Sequence, residues 1–218
     1  MRCFHKIAAA FLLAGAAISP ASAADFIGDY TIDAHTSGSG LTVATQKIAD
    51  FSVAPGFDLT NVGDSYSTAL FKIWADNESD VGADDLNGKA ISVNFAFTSP
   101  TIINGTVVGE TVGERSFFGL FQNGQLSWGD VGFGAGVNEF SFGNGGKLIV
   151  SLTDTEFSNG LFGLNDSPRY GGTVHATFTL GALPAVPEPA TWALMISGFG
   201  LVGAGLRANR RNRNIVTA

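Results

Sequence analysis

Length and composition limit the classes of protein to which this chain can belong. Its 218 residues are enough for one large domain or two small ones, and they include 29 Gly, 18 Phe and a single Cys. Charged residues make up 14% of the chain, well below the roughly 25% of an average soluble domain. This composition excludes a charged disordered chain, argues against a helical bundle and favours a β protein rich in turns.

The first 23 residues have the pattern of a secretory signal peptide. Arg2 and Lys6 precede an apolar run over residues 7–18, and Ala21-Ser22-Ala23 then supplies a small-x-small cleavage site. That run is 12 residues long, whereas a helix needs about 20 residues to cross the hydrocarbon core of a bilayer. We therefore expect the secretion machinery to export the chain through the inner membrane and the mature protein to begin at Ala24.

A second apolar segment, free of charge, lies near the C-terminus. It begins at Trp192, ends at Leu206 and follows the tripeptide Pro187-Glu188-Pro189. Four arginines come directly after it, namely Arg207, Arg210, Arg211 and Arg213. Because positive residues stay on the cytoplasmic side, we predict a PEP linker over 184–191, a transmembrane sorting helix over 192–206 and a basic cytoplasmic tail over 207–218. The alternative is a helix buried in the globular domain, which the adjoining arginines disfavour.

The stretch VPEPATWALMISGFGLVGAGLRANRR, from Val186 to Arg211, resembles the PEP-CTERM sorting signal with Trp-Ala after Pro-Glu-Pro. The same tail is also called the ice-binding protein C-terminal motif. The resemblance implies recognition by an exosortase, a membrane transpeptidase, with cleavage at or near residues 187–189. It further implies a transient stay in the inner membrane, followed by release or transfer to the surface of a bacterium of a kind that often makes exopolysaccharide. The tail occurs on unrelated bodies, so it implies nothing about their activity.

The segment between the two termini is strongly acidic. Residues 24–186 contain 18 acidic and six basic residues, a formal net charge of −12. Such a charge repels polyanions, so we predict no binding to nucleic acid. The only cysteine, Cys3, lies in the segment removed on export. Disulfides, thiol nucleophiles and cysteine-ligated metals are therefore excluded from the mature chain.

Apolar and polar residues alternate along this body, as they do in strands with one buried face. The clearest strands are residues 91–97 and 174–180, and others are predicted at 26–33, 41–48, 69–75, 137–142, 147–153 and 160–164. Asn104-Gly105 and Asn123-Gly124 predict two-residue hairpin turns, because both turn positions need a positive φ. About ten strands over residues 24–183 predict an all-β fold, a single antiparallel β-sandwich or jelly roll between the signal helix and the transmembrane helix.

An acidic stretch offers oxygen ligands of the kind that Ca²⁺ prefers. The candidate metal ligands are Asp76, Glu78 and Asp80, with Asp84 and Asp85 close behind them. The stretch departs from an EF-hand loop, because Val81 stands where the turn glycine belongs and Asn87 replaces the closing glutamate. A solvated loop without metal is the alternative, and calcium is the one cofactor that the sequence suggests.

Aromatic side chains suggest a second kind of site. Trp74 and Trp128, together with Tyr66 and Tyr170, are candidates for a platform that binds sugar rings, with burial in the core as the alternative. Phenylalanines at 117–118 and 140–142 are expected in the core. Thr177 and Thr179 alone are too few for the regular threonine ladder expected of an ice-binding face.

Catalytic motifs are weak in this sequence. His35 and His175 are the histidines that remain in the mature chain, and neither accompanies a nucleophile elbow or a zinc-binding helix motif. A glycosidase needs two facing carboxylates, and no pair stands out among Glu110, Glu114, Asp130, Glu139, Asp154 and Glu156. We therefore predict a surface or exopolysaccharide-matrix protein with a non-catalytic body. A carbohydrate-binding module, with or without calcium, is the alternative, and a glycoside-active enzyme is a weaker one.

Overall fold

The strands that the structure describes form one compact unit, and the described α-helix belongs to another. A computed structural model describes residues 24–129, 137–185 and 189–213. The first unit lies within Ala21–Ala185. Its strands are β1 (Ala24–Asp33), β2 (Val43–Lys47), β3 (Phe57–Leu59), β4 (Ser65–Ala75), β5 (Lys89–Ser99), β6 (Ile103–Ser116), β7 (Phe121–Trp128), β8 (Val137–Phe142), β9 (Gly146–Leu152), β10 (Thr155–Leu161) and β11 (Gly172–Ala182). A 3-10 turn spans Pro168–Tyr170, and the helix, α1, spans Pro189–Arg213.

The eleven strands of the described residues form two antiparallel sheets. The six-stranded sheet has the order β10-β7-β6-β5-β1-β3, and the five-stranded sheet has the order β2-β4-β11-β9-β8. Buried residues of both sheets belong to one hydrophobic cluster. The prediction of an all-β antiparallel body is therefore confirmed, and the alternation along residues 91–97 and 174–180 correctly identified β5 and β11.

Aromatic rings from the two sheets meet at the centre of this core. Phe178 of β11 lies edge-on to Phe95 and Phe97 of β5, with ring centroids 5.6 and 6.0 Å apart. Phe57 of β3 stacks on Phe178 at 4.7 Å. All four rings are buried. Edge-to-face and offset-stacked pairs stabilise a core beyond the area that they bury, so these contacts lock the two sheets together.

The two predicted Asn-Gly hairpins are wrong. Asn104-Gly105 lies inside β6 and Asn123-Gly124 lies inside β7, and the chain turns instead at residues 100–102 and 117–120. Each glycine makes room for an aromatic ring. A Cβ on Gly105 would collide with the ring of Phe140, and a Cβ on Gly124 with that of Phe157. These glycines therefore serve close packing inside the sheets rather than the positive φ of a turn.

The predictions for buried phenylalanines and for the remaining strand positions are confirmed only in part. Phe140 and Phe142 are buried as predicted, but Phe117 and Phe118 are exposed and not part of the core. The strand expected at 160–164 lies instead over Thr155–Leu161, so that only two of the predicted residues are in it. The prediction missed β3, because three residues are too few to show alternation.

Tyr30 links β1 by hydrogen bonds to β4 and to the segment that follows β2. Its hydroxyl donates to the carbonyl of Leu70 at 2.5 Å, with the carbonyl of Ala49 as a second acceptor at 3.2 Å. The side chain is almost fully buried. Burial raises the pKa of Tyr30 to about 12, because the phenolate would lose its hydration there.

We expect this tyrosine to make stability fall at alkaline pH. Its folded pKa is raised to about 12, against about 10 in the unfolded chain. Its contribution is therefore complete below about pH 10 and is lost as the pH rises towards about 12. Tyr30→Phe should lower the free energy of unfolding at neutral pH by about 1–2 kcal/mol, and the difference from wild type should shrink above about pH 10.

Denaturant unfolding measured from neutral to alkaline pH checks this expectation. Tyr66→Phe is the matched control, because Tyr66 is 37% exposed, and it should stay close to wild type. A Tyr30→Phe protein whose deficit is constant across the whole pH range would contradict the assignment.

Candidate functional site

The C-terminal sequence pattern lies on α1. The helix begins at Pro189 and runs for 25 residues to Arg213. Proline suits the first helical turn, because its missing N–H would have no partner there. Pro187 and Glu188 lie outside the described residues. The third residue of the tripeptide is thus already helical, and the helix extends beyond the predicted 192–206 at both ends.

The basic cluster is part of the same helix. Arg207, Arg210, Arg211 and Arg213 all precede its end, so the predicted tail over 207–218 begins as helix rather than as a separate segment. Arginine is a good helix former, and positive charge near a helix C-terminus complements the helix dipole. Arg207 is exposed, whereas for the other three arginines and for Trp192 the backbone alone is described.

The described side chains of α1, residues 193–204, 206 and 207, are all exposed. They include large apolar groups, with Leu194 at 74%, Phe199 at 71% and Leu201 at 75% exposure. Within residues 24–129, 137–185 and 189–213, no helix combines the length and apolarity that membrane crossing requires. The predicted transmembrane span is therefore not confirmed.

The acidic stretch that suggested a metal site fastens neighbouring loops to one another. Glu78 accepts a hydrogen bond at 3.0 Å from the hydroxyl of Thr42. Asp84 accepts one at 2.9 Å from the backbone N–H of Gly40. The hydrogen bond from Gly40 holds the pKa of Asp84 below its ordinary value. These carboxylates therefore point at the loop before β2 and not at a shared centre.

Asp85, the last carboxylate of the stretch, also forms a hydrogen bond within the loops. It is buried and accepts this bond at 2.6 Å from the N–H of Gly82. Among the residues that the structure describes, no three His, Cys, Asp or Glu side chains are grouped so that they could hold a metal ion. Asp76 and Asp80, the other predicted calcium ligands, accept hydrogen bonds from their neighbours Asn77 and Ser79. In the described part of the chain they are not grouped with Glu78 as a calcium ligand set would be.

The two tryptophans do not form a common platform. Trp128 is buried, donates from Nε1 to the carbonyl of Thr153 at 3.1 Å, and meets Phe71 edge-on at 6.3 Å. Trp74 is half-buried on the other sheet, in β4, where it pairs with Ala44 of β2. The ring of Trp128 is therefore part of the core, which is the alternative that the sequence left open.

The pairing of β1, β5 and β6 creates a polar surface on the outer face of the six-stranded sheet. Side chains of β1, β5 and β6 align there in three rows, which we call the polar trough. The rows are Asp29, Ala96 and Asn104; Thr31, Asn94 and Thr106; and Asp33, Ser92 and Val108. Two shallow cavities of about 330 and 340 Å³ lie along it.

The trough combines fixed hydrogen-bonding groups with two carboxylates. Thr106 donates to Asn94 at 2.7 Å, across two strands. Asp29 forms an ion pair with Lys47 at 2.9 Å, and the hydrogen bond from Lys47 holds the pKa of Asp29 below its ordinary value. At the far end, Nε2 of His35 is buried without a hydrogen-bond partner among the described residues. Such a surface can exchange hydrogen bonds with a hydroxyl-rich ligand.

Sequence reasoning missed the trough for a simple reason. Its members are the outward residues of three strands, and each strand alone looks like an ordinary solvated face. Only the register, which places Thr31, Asn94 and Thr106 side by side, brings them into one surface.

Comparisons with known proteins identify the C-terminal segment alone. No curated protein and no solved structure matches the chain. The family model of the PEP-CTERM protein-sorting motif matches residues 185–211, which include the tripeptide, Trp192 and three of the four arginines. This motif implies export and processing by exosortase, a membrane protein. The chain therefore carries a PEP-CTERM protein-sorting motif at its C-terminal end, as the resemblance predicted.

Proposed function

We propose that the protein is exported and held briefly at the inner membrane by its C-terminal tail. An exosortase then cleaves the tail and leaves a non-catalytic β-sandwich body at the cell surface or in the exopolysaccharide matrix. The observation that carries this proposal is the sorting motif over residues 185–211. The motif starts at the last residue of the compact β unit and contains nearly all of α1.

The positions of the core residues support a body that stays folded after its tail is cleaved. Every described residue of the hydrophobic cluster lies between Ala24 and Leu180, and the described, partly buried residues packed on it end at Leu183. Cleavage at 187–189 removes none of these side chains. The two sheets can therefore keep the core formed by the described residues after the tail is lost.

The exposed apolar side chains of α1 support the proposed stay of the tail at the inner membrane. Apolar side chains such as Leu194, Phe199 and Leu201 are unfavourable in water. A lipid or membrane-enzyme environment would remove them from it. Small residues let a partner helix approach closely, and Gly198, Gly200 and Gly203 leave open space beside the helix backbone.

Two of the carboxylates considered for catalysis are bonded within the fold instead, which supports a non-catalytic body. Asp154, one of the acids considered for glycoside hydrolysis, accepts a hydrogen bond at 2.8 Å from the backbone N–H of Trp128. Glu139, another of them, is paired with Lys147 at 2.9 Å. Asp130 lies outside the described residues.

Replacement of the tripeptide tests the sorting proposal. Pro187→Ala with Pro189→Ala, or Glu188→Ala alone, should stop processing, because the exosortase would no longer find its recognition sequence. Cell fractionation and immunoblotting should then show full-length protein retained with the membranes. Glu139→Ala, which removes a carboxylate on β8, is the matched control and should be processed normally. Mature protein of normal size in the medium from the tripeptide variants would refute the proposal.

Carbohydrate binding is a second candidate function, and the polar trough favours it where the tryptophans do not. Amide, hydroxyl and carboxylate groups stand in register on a shallow surface, as recognition of sugar hydroxyls requires. Small residues such as Ala96 leave the middle of the surface open to a chain lying across the strands.

Affinity electrophoresis through gels containing exopolysaccharide from the producing cells tests this candidate. Asn94→Ala with Asn104→Ala should weaken binding by about tenfold, since two side-chain hydrogen bonds are lost. Ser67→Ala with Thr177→Ala is the matched control, because it breaks a similar 2.7 Å contact on the outer face of the other sheet. Equal retardation of wild type and the trough variant would reject the trough as the binding surface.

A further inference from the structure

An exposed apolar cluster projects from one end of the six-stranded sheet. Two loops build it, the turn from β6 to β7 and the segment at the end of β10. Its members, which we call the Phe tip, and their exposed fractions are Phe117 (75%), Phe118 (111%), Phe121 (48%), Leu161 (58%) and Phe162 (76%). The N–H of Phe162 donates to the carbonyl of Leu120 at 2.8 Å and ties the two loops together.

The backbone of the Phe tip is held in an uncommon conformation. Phe117, Phe118 and Phe162 have φ values of +50°, +57° and +60°, and Gly119 has a φ of +85°. Bulky side chains disfavour this left-handed region, which glycine or asparagine adopts more readily. Here the strained residues also leave their rings in water. Folding alone does not account for phenylalanine at three such positions, and strain of this kind often accompanies a binding role.

The chemistry of the Phe tip suits a medium that contains little water. Residues 116–122 and 157–165 contain no charged side chain, although the body as a whole is strongly acidic. The backbone N–H groups of Gly119 and Leu120 donate to the carbonyls of Ser116 and Phe117. Together with the bond from Phe162, these contacts satisfy polar groups that would be costly to bury unpaired.

Shape argues against a second copy as the occupant. At roughly 150–250 Å² per aromatic side chain, the five side chains leave about 550–900 Å² exposed. Area alone does not distinguish a bilayer from a second copy, because one partner of a standard protein interface buries about 600–1,000 Å². The Phe tip is convex, however, since Phe118 projects fully into solvent. The two cavities of the polar trough, lined by residues such as Asp29 and Asp33, do not complement it.

We propose that the Phe tip inserts into the interfacial region of a lipid bilayer. A bilayer accepts a convex apolar projection, and aromatic and leucine side chains are well placed at its interface. Because the body is acidic, uncharged lipid surfaces are favoured over anionic ones. This attachment belongs to the body and is independent of tail processing.

The position of the Phe tip keeps it apart from the start of the sorting tail. Ala185 donates to the carbonyl of Asn144, and neighbouring Gly143 donates to Thr101, just before β6 begins. The Phe tip follows the other end of β6, which at ~3.3 Å per residue is about 40 Å away. The last residue of the β unit and the Phe tip thus lie near opposite ends of β6.

A fluorescent label beside the Phe tip tests the insertion directly. The full chain carries Cys3→Ser, which removes its one thiol, and Ser116→Cys, which is exposed and can be labelled with an environment-sensitive dye. With phosphatidylcholine vesicles, the dye should shift to shorter wavelength and lose access to aqueous iodide. Vesicles containing phosphatidylglycerol should give a weaker signal. Because the dye is placed at the Phe tip, attachment through the tail alone would leave it in water.

Phe117→Asn with Phe118→Asn is the decisive variant, because asparagine tolerates the left-handed backbone and the fold should keep its thermal stability. It should weaken the vesicle signal by at least about tenfold. Ile102→Ser is the matched control, since Ile102 is 79% exposed at the opposite end of β6, and it should not change the signal.

A label that stays in water, or a double variant that inserts like its parent, would overturn the proposal while leaving tail processing untouched. A dimer in sedimentation experiments that the double variant abolishes, without any vesicle signal, would overturn it in favour of a second copy.

Discussion

The contact between aromatic rings of the two sheets is the constraint on which the rest of the structure depends. Phe178 of one sheet meets Phe95 and Phe97 of the other, and Phe57 closes the cluster. Among the residues that the structure describes, the core side chains all come from residues 24–180, and α1 contributes none of them. Loss of the tail therefore removes no described side chain of this core.

Sequence patterns predicted those parts of the protein that depend on local order. Alternation identified β5 and β11, because a half-buried strand repeats every two residues, and the C-terminal motif was readable residue by residue. Features that depend on register were not predictable. Gly105 and Gly124 resembled turn glycines, but they make room for rings that only the folded sheets bring near. Composition likewise assigned Phe117 and Phe118 to a core that they do not enter.

The candidate surfaces of the body were hidden for the same physical reason. The polar trough exists because three strands place Thr31, Asn94 and Thr106 in one row. The acidic stretch attracted a metal hypothesis through its spacing, yet hydrogen bonds to Thr42 and Gly40 use its carboxylates within the loops. Side-chain chemistry indicates what a residue can do, whereas the fold decides which groups act together.

The central claim is that the folded body ends before the sorting tail and is complete without it. Mass spectrometry of the C-terminal peptide of the exported protein tests this claim most directly. We expect the last residue to fall within 187–189, with the whole β body present and α1 removed. Exported protein that still carries residues 190–213 would contradict the account.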